Sequence, residues 1–348
     1  MKLSLGIIGF GRIGAEHAAW INESRGVRAV AAADPTPARR AAAAARGMRT
    51  CDDIASLLCD PAIDAVLIAT PTAMHFVQAS AALAAGKHVM VEKPMALDYQ
   101  QSAQLIEQAA KTSRVISVFH NRRWDPDYLA VRAIAAAGTL GKLINVESRI
   151  GQFASCVGPA AKEYRPAWRT EAAFGGGALY DWGSHLTDQL WRLLWPARPL
   201  RLFAQLRSTV WSRDCDDFAR LLIDFDNGAT GLIEANTTTA NALPRWQLDG
   251  SAGTISGPLN SGWDMSLWSQ LRFTPAPGNS APRHLPRAEP GFSETQIWEH
   301  FAAAVGGKGP PAVSARSVLP TMQLMDAARR SSREGVAVPI DASAWELD

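Results

Sequence analysis

Residues 90–97 read MVEKPMAL, and the Glu92–Lys93 pair inside them has the side chains for acid–base work. An apolar run, HVMV at residues 88–91, leads into the pair, and Pro94 closes it. Charged groups at the end of such a run are costly to bury unless they are paired or used. The proline disfavours a helical conformation at Lys93 and so holds the lysine extended. By local pattern alone the pair reads equally as a surface ion pair or as two groups at the rim of a ligand crevice. A second stretch, Gly9-Phe10-Gly11-Arg12-Ile13-Gly14, is a G-x-G-x-x-G between an apolar run and a helix-length segment. In that context Gly9 permits the tight turn, Gly11 lets a pyrophosphate approach the backbone, and Gly14 lets helix and strand pack closely. The helix start adds N–H groups and a positive dipole. Asp34 ends the next apolar run, where a carboxylate accepts from both adenosine ribose hydroxyls and repels a 2′-phosphate. NAD is therefore expected in preference to NADP, and Arg39 and Arg40 read as surface charge.

These groups need a frame. Up to about residue 120, short apolar runs (KLSLGII, RAVAAA, DAVLIA, KHVMV, VISVF) alternate with helix-length segments. That alternation implies a parallel sheet covered by helices on both faces. Thr36-Pro37 reads as a helix start, with a hydroxyl N-cap and proline at the first helical position. In such sheets ligands lie beyond the carboxyl ends of the strands, which places Glu92 and Lys93, and also Asn121, Arg122 and Arg123, at the crevice. After about residue 122 the texture changes. A helix around residues 126–137 precedes runs with period-two alternation. Ala219, Leu221, Ile223 and Phe225 face one side, Arg220 and Asp224 the other, and Asn227-Gly228 marks a hairpin. Residues 275–290 read as a proline-rich loop and residues 314–334 as a terminal helix. The expected fold is α/β: a Rossmann doubly wound parallel sheet over residues 1–122, then a domain over 123–348 with a large, mostly antiparallel sheet.

Composition narrows the function classes. With 35 Lys and Arg against 33 Asp and Glu, a net charge of +2 offers no electrostatic case for nucleic acid or an anionic membrane. The four cysteines (51, 59, 156 and 215) form no C-x-x-C pair, so neither a disulfide framework nor a zinc cluster is expected, and a reducing cytoplasm fits. Residues 65–86 lack Asp, Glu, Lys and Arg, but Thr70-Pro71 breaks the run; strand, turn and helix are expected there and no membrane span. Residues 1–11 read as a first strand, not a signal peptide.

Four stretches together resemble the Gfo/Idh/MocA oxidoreductases: the turn at residues 9–14, ATPTAMH at 69–75, EKP at 92–94 and GGGALYDWGSHLTD at 175–188. Residues 118–134 and 168–194 are most similar to the branch containing scyllo-inositol dehydrogenases. Thr72 stands where many relatives carry asparagine. Members of that branch use NADP and lack the glycine pattern combined with a ribose-binding acid, both of which this chain has. The resemblance implies an open C-terminal sheet that serves in a homodimer or homotetramer. It implies Lys93 as the active-site lysine, Asp181 as its carboxylate partner and His185 as the acid/base. It also adds Thr70, Pro71, His75 and Glu92 to the cofactor-binding turn, and Trp168 and Arg169, with Asn121, Arg122 and Trp124, to the substrate side.

Oxidation of a secondary alcohol needs a base for the hydroxyl proton and a hydride acceptor. An imidazole suits the first, and Lys93 can stabilise a developing alkoxide. Asp181, four residues before His185, could orient that ring or hold Lys93 charged. NAD takes the hydride, so no metal is required. The Gly175-Gly176-Gly177 run lets backbone pass close to a ligand. Outside the family pattern, His185 reads as a polar residue exposed opposite the stripe Leu186, Leu190, Leu193 and Leu194. The leading expectation is an NAD-dependent dehydrogenase of a cyclitol, sugar or related polyol. The alternatives are a dihydrodiol, imine or aromatic-acid substrate, or a nucleotide-binding regulator without turnover, against which the presence of Lys93, Asp181 and His185 together argues.

Overall fold

The computed structural model describes residues 2–154, 168–260, 270–277, 281–286, 288 and 291–347. Cys156 and parts of the proline-rich segment lie outside the described residues. Six strands form the first sheet: β1 (Leu3–Ile8), β2 (Val27–Ala33), β3 (Arg49–Cys51), β4 (Ala65–Ile68), β5 (His88–Glu92) and β6 (Ile116–Phe119). Their order is β3-β2-β1-β4-β5-β6, and every pair is parallel. This is the doubly wound arrangement, with its switch point between β1 and β4. The strands β4 and β6 are buried throughout, as a sheet covered on both faces requires. Only β3 escapes the sequence pattern. It is three residues long and carries no apolar run.

Helices α1 (Arg12–Glu23), α2 (Pro37–Ala44), α3 (Ile54–Leu58), α4 (His75–Ala84) and α5 (Tyr99–Lys111) alternate with these strands. Thr36 is the N-cap of α2 with proline at the first position, but its hydroxyl makes no cap bond. Its N–H donates instead to Asp34 Oδ1 at 2.8 Å, which ties the start of α2 to the end of β2. Helix α6 (Pro126–Ala136) leads into the second sheet.

That sheet has nine strands: β7 (Leu143–Gly151), β8 (Pro199–Arg207), β9 (Phe218–Phe225), β10 (Thr230–Asn236), β11 (Leu243–Gly250), β12 (Gly253–Asn260), β13 (Arg272–Pro275), β14 (Arg283–His284) and β15 (Val338–Pro339). The order is β14-β13-β12-β11-β7-β10-β9-β8-β15, antiparallel except for the β10–β7 pair. The β9–β10 hairpin turns at Asn227-Gly228, where Gly228 takes φ 81°. Alternation in β9 is as expected: Ala219, Leu221, Ile223 and Phe225 are buried, while Arg220 pairs with Glu234 and Arg201 with Asp224 on the other face. Helices α7 (Ser184–Leu194) and α9 (Leu319–Glu334) pack against the inner face. The proline-rich stretch is not loop throughout, since β14 lies within it and pairs with β13.

The division at residue 122/123 does not describe the packing of residues 294–318. Helix α8 (Glu294–Val305) returns to the first sheet, and its Ile297, Trp298 and Phe301 join Leu5, Ile7 and Val27 in one apolar cluster. Val313, Ala315 and Val318 pack into the cluster on the other face of that sheet. Their apolar spacing told of burial, but not which sheet would bury them. Among the described residues, no helix is long and apolar enough to cross a membrane.

Candidate functional site

A cleft of about 1090 Å³ runs along the carboxyl ends of β1, β2, β4 and β5. The glycine turn forms one wall. Gly9 has φ 90°, and a Cβ there would meet the Ala69 carbonyl at 2.7 Å. A Cβ on Gly14 would lie 2.2 Å from the Gly9 carbonyl oxygen. These two positions are closed to larger residues by the chain itself. Gly11 differs: the nearest atoms to a Cβ there belong to the Arg39 guanidinium, 3.8 Å away, across the cleft wall. The turn thus leaves bare backbone at the start of α1, whose first-turn N–H groups lack intrahelical partners. Arg12 and Ile13 line the same wall, whereas Phe10 is buried behind it.

Asp34, 1% exposed, accepts from the Phe10 N–H and the Thr36 N–H, one at each carboxylate oxygen, both at 2.8 Å. Arg39 is not surface charge. Its Nη1 lies 3.6 Å from Asp34 Oδ2, and its side chain lines the cleft. Arg40 donates to the main-chain carbonyls of Asp34 and Pro35. Thr70 and Pro71 line the cleft, with the Thr70 hydroxyl donating to Gln78. His75 also lines the cleft, with its side chain almost wholly buried. Both ring nitrogens face main-chain carbonyls, Nδ1 that of Pro94 at 2.8 Å and Nε2 that of Thr70 at 2.9 Å. The ring thus lies between the loop after β4 and the loop after β5, and burial lowers its pKa, so the neutral ring donates to one of the two carbonyls. An open, bare-backboned turn beside a buried carboxylate fits a dinucleotide, held by Gly9, Gly11, Arg12, Ile13 and Asp34.

Glu92 and Lys93 emerge at the cleft, not at an outer surface. Burial would raise the Glu92 carboxyl, but a 2.8 Å hydrogen bond from His17 and the charge of Lys93 hold it below the usual range. The Trp298 indole N–H donates to His17 Nδ1, which puts the ring proton on Nε2, facing Glu92. The Lys93–Pro94 peptide is cis. Lys93 Nζ donates to the Asp181 main-chain carbonyl at 2.9 Å and to Asp181 Oδ1 at 3.3 Å. Burial pushes the lysine's pKa down, and the Asp181 and Glu92 charges push it back up. Asp181 lies in a π-helical turn, Leu179–Gly183, that opens α7. Of its two possible roles, orienting the imidazole or holding Lys93, the geometry has it on Lys93.

His185 is 5% exposed and faces the cleft. The reading of an outward polar residue fails because α7 is covered on nearly every side. Burial takes its pKa well below the ordinary value, and Lys93, Arg122 and His120 push it the same way. Its Nδ1 has no hydrogen-bond partner among the described residues. The His120 ring stands 5.6 Å away, edge-on, with its pKa lowered to about 4 by burial.

On the substrate side, Asn121, Arg122, Trp168 and Arg169 all line the cleft. Arg122 lies over the Trp182 ring at 4.5 Å, and Arg169 over Trp168 at the same distance. Arg123 turns away. It pairs with Asp188 through two 2.8 Å bonds and holds that carboxyl far below its ordinary pKa despite burial. Trp124 packs on Phe292 outside the cleft. The three glycines are hemmed in by protein, since a Cβ on Gly175 would meet Leu97 and Thr72, one on Gly176 the Arg169 carbonyl and one on Gly177 the Asp216 carboxylate, and they also line a small pocket with Lys93 and Asp181. Sequence reasoning missed Glu294, which accepts from Asn121 at 3.1 Å, and Asp125, whose carboxyl burial raises to about 7. Neither sits in a motif. Proximity to Arg122 was the only available signal for Asp125.

Comparison with known proteins agrees with this geometry. Residues 3–120 match the family model described as an oxidoreductase family, NAD-binding Rossmann fold, and residues 128–256 match the GFO/IDH/MocA C-terminal domain. The uncharacterized oxidoreductase YdgJ of Escherichia coli is 40% identical over 156 residues, 44% of this chain and 43% of the relative. The scyllo-inositol 2-dehydrogenase (NADP(+)) IolW of Bacillus subtilis is 30% identical over 55% of this chain and 51% of its own length. The chain thus spans about half the length of these two relatives. The NAD(+) scyllo-inositol 2-dehydrogenase of the same organism is 28% identical over 96% of this chain and 95% of its own. A solved NAD-binding protein from Listeria innocua superposes with a TM-score of 0.85 at 28% identity, over 97% of both chains.

Proposed function

The chain belongs to the Gfo/Idh/MocA oxidoreductases, whose two domain models together match more than half of it, and from that premise we propose an NAD-dependent dehydrogenase acting on a secondary hydroxyl of a cyclitol, sugar or related polyol. The observation that carries this reading is the 88-residue convergence of Lys93 and Asp181 in the cleft that also holds the glycine turn, Asp34 and His185. Bound NAD supplies the hydride acceptor. Neutral His185, its pKa depressed by burial, accepts the hydroxyl proton. Lys93 donates to the same oxygen and stabilises its growing negative charge, while Asp181 keeps the ammonium protonated against burial. Trp168 and Trp182 offer aromatic faces, and Asn121, Arg122 and Arg169 offer donors, which suits a ring carrying several hydroxyls. Free thiols at Cys51, Cys59 and Cys215 are in keeping with a cytoplasmic protein. The outer face of β9, with Leu222 46% exposed among Arg220 and Asp224, supports assembly as a homodimer or homotetramer.

The test is a panel of cyclitols, aldoses and sugar acids offered to purified protein with NAD, followed by absorbance of the reduced nucleotide. Turnover on at least one polyol, abolished in Lys93→Met, is expected. Equal turnover in Lys93→Met would remove the lysine from the chemistry.

A further inference from the structure

The Lys93 ammonium reaches Asp181 at the end of a flexible four-carbon stem, so that contact by itself leaves the two backbones free to drift apart. The chain holds them together at a second place. Four residues on from Lys93, the Leu97 carbonyl accepts from the hydroxyl of Tyr180, the residue before Asp181, at 2.7 Å. The Leu97 side chain is closed in by the same segment, since a Cβ on Gly175 would lie 2.7 Å from its Cδ2. Met95 and Ala96, just before it, are fully buried, so the loop after β5 is seated in protein. The hydroxyl is braced in turn. Arg329, from α9, donates to the Tyr180 oxygen, which leaves the phenolic proton for the Leu97 carbonyl. Asp326 pairs with Arg329 and accepts the Tyr99 N–H at 2.9 Å, so one turn of α9 also grips the start of α5.

The ring and the hydroxyl of Tyr180 have separable tasks. The ring belongs to the apolar cluster of the second sheet, with Leu179 and Trp182. The hydroxyl joins two segments 83 residues apart, one following β5 of the first sheet and one opening α7. Burial pushes its pKa up to about 12, so it remains a donor at neutral and moderately alkaline pH. We propose that Tyr180 is a positioning residue: its hydroxyl, braced by Arg329, fixes the separation of the loop carrying Lys93 from the turn carrying Asp181, and so sets how firmly the carboxylate holds the ammonium. The other charges facing Lys93, those of Glu92 and Arg169, stand on different segments and stay when the hydroxyl is removed. A change at Lys93 therefore reports the movement of Asp181. The effect on turnover rests on reading Lys93 as the group that polarises the substrate oxygen, whereas the effect on Lys93 itself does not.

The experiment compares the full chain with its Tyr180→Phe variant, which keeps the ring and loses the hydroxyl. The titration of Lys93 is followed without substrate, by NMR of protein carrying ¹³C at lysine Cε, with Lys93→Met assigning the signal. Lys93 is expected to titrate at lower pH in Tyr180→Phe, because a looser Asp181 supports its charge less. On a turned-over polyol, kcat should fall by about tenfold and its alkaline limb should move to lower pH, while the dissociation constant for NAD stays within about threefold. Arg329→Met should move Lys93 in the same direction by less, and Arg329→Lys should restore part of the difference. An unchanged Lys93 titration in Tyr180→Phe overturns the proposal, even if stability or kcat falls, and so does a shift to higher pH. Should Tyr180→Phe not fold, Arg329→Met, whose side chain is 31% exposed in the wild type, decides by the same titration. A chain that turns over no polyol removes the dehydrogenase reading, and the Lys93 titration still decides this one.

Discussion

Asp34 and His185 both line the cleft and are both buried, yet their surroundings differ in kind. Each Asp34 oxygen accepts a backbone N–H at 2.8 Å, whereas His185 Nδ1 has no partner among the described residues. The same contrast separates the residues around them. Gly9 and Gly14 are locked by main-chain atoms, while burial and the Asp181 charge move the Lys93 pKa, and burial and the Lys93 charge move that of His185. A buried polar atom without a partner costs about 1–3 kcal/mol. Such a cost is tolerated where the atom has work to do. A part that only holds a constant ligand is best made from backbone, which cannot titrate. A part that exchanges protons must keep a lone pair and a shiftable charge.

That contrast can be broken in several ways. Lys93→Met should lower kcat by about a thousandfold while the dissociation constant for NAD stays within about threefold. The same variant removes a charge that depresses the His185 pKa, so the imidazole should titrate at higher pH, visible by NMR. Equal losses in binding and turnover would mean that the two parts are not separable.

Acid should strike the chemical part first. The unfolded chain protonates His120 near pH 6.5. The folded chain, because of burial, resists until about 4. Stability is therefore complete above pH 6.5 and lost as pH falls towards 4, by about 3 kcal/mol. His185 adds to the loss in the same direction. Urea midpoints across that range check the slope, and His120→Gln should flatten it. An unchanged midpoint in the wild type would sink the assignment.

Within the glycine turn, Gly14→Ala should cost about 1–3 kcal/mol of stability, because its Cβ has no room beside the Gly9 carbonyl. Gly11→Ala should fold within about 1 kcal/mol of wild type and yet bind NAD more weakly, because its Cβ enters the cleft. Chemical denaturation and nucleotide titration separate the two. The smallest effect is expected of Asp181→Asn. Asp181 raises the Lys93 pKa, so its loss should move the alkaline limb of the kcat profile to lower pH. A shift to higher pH would contradict the pairing.

Much of the first sheet was legible because its strands are continuous apolar runs, a local property. The β9–β10 hairpin was legible because Asn227-Gly228 suits only a few backbone geometries. Strand β3 was missed because three residues without apolar character carry no period. The return of α8 to the first sheet was missed because an apolar stripe reports burial and not against what. Arg123 and Arg122 are neighbours in a run of polar residues, and nothing local says that one is buried on Asp188 and the other faces the cleft. Glu294 reaches Asn121 from 173 residues away.

By itself the amino-acid order determined the glycine turn, the carboxylate after the second strand and the lysine held by its proline, since each is a matter of backbone dihedrals and short-range spacing. Only the tertiary structure decided that Asp181 lies on Lys93, that the His75 ring lies between two loops, that Arg123 is buried on Asp188 and that Arg39 faces Asp34. Those depend on where distant segments are brought together by burying apolar surface, a force with no direction of its own, and packing alone selects which polar groups then meet.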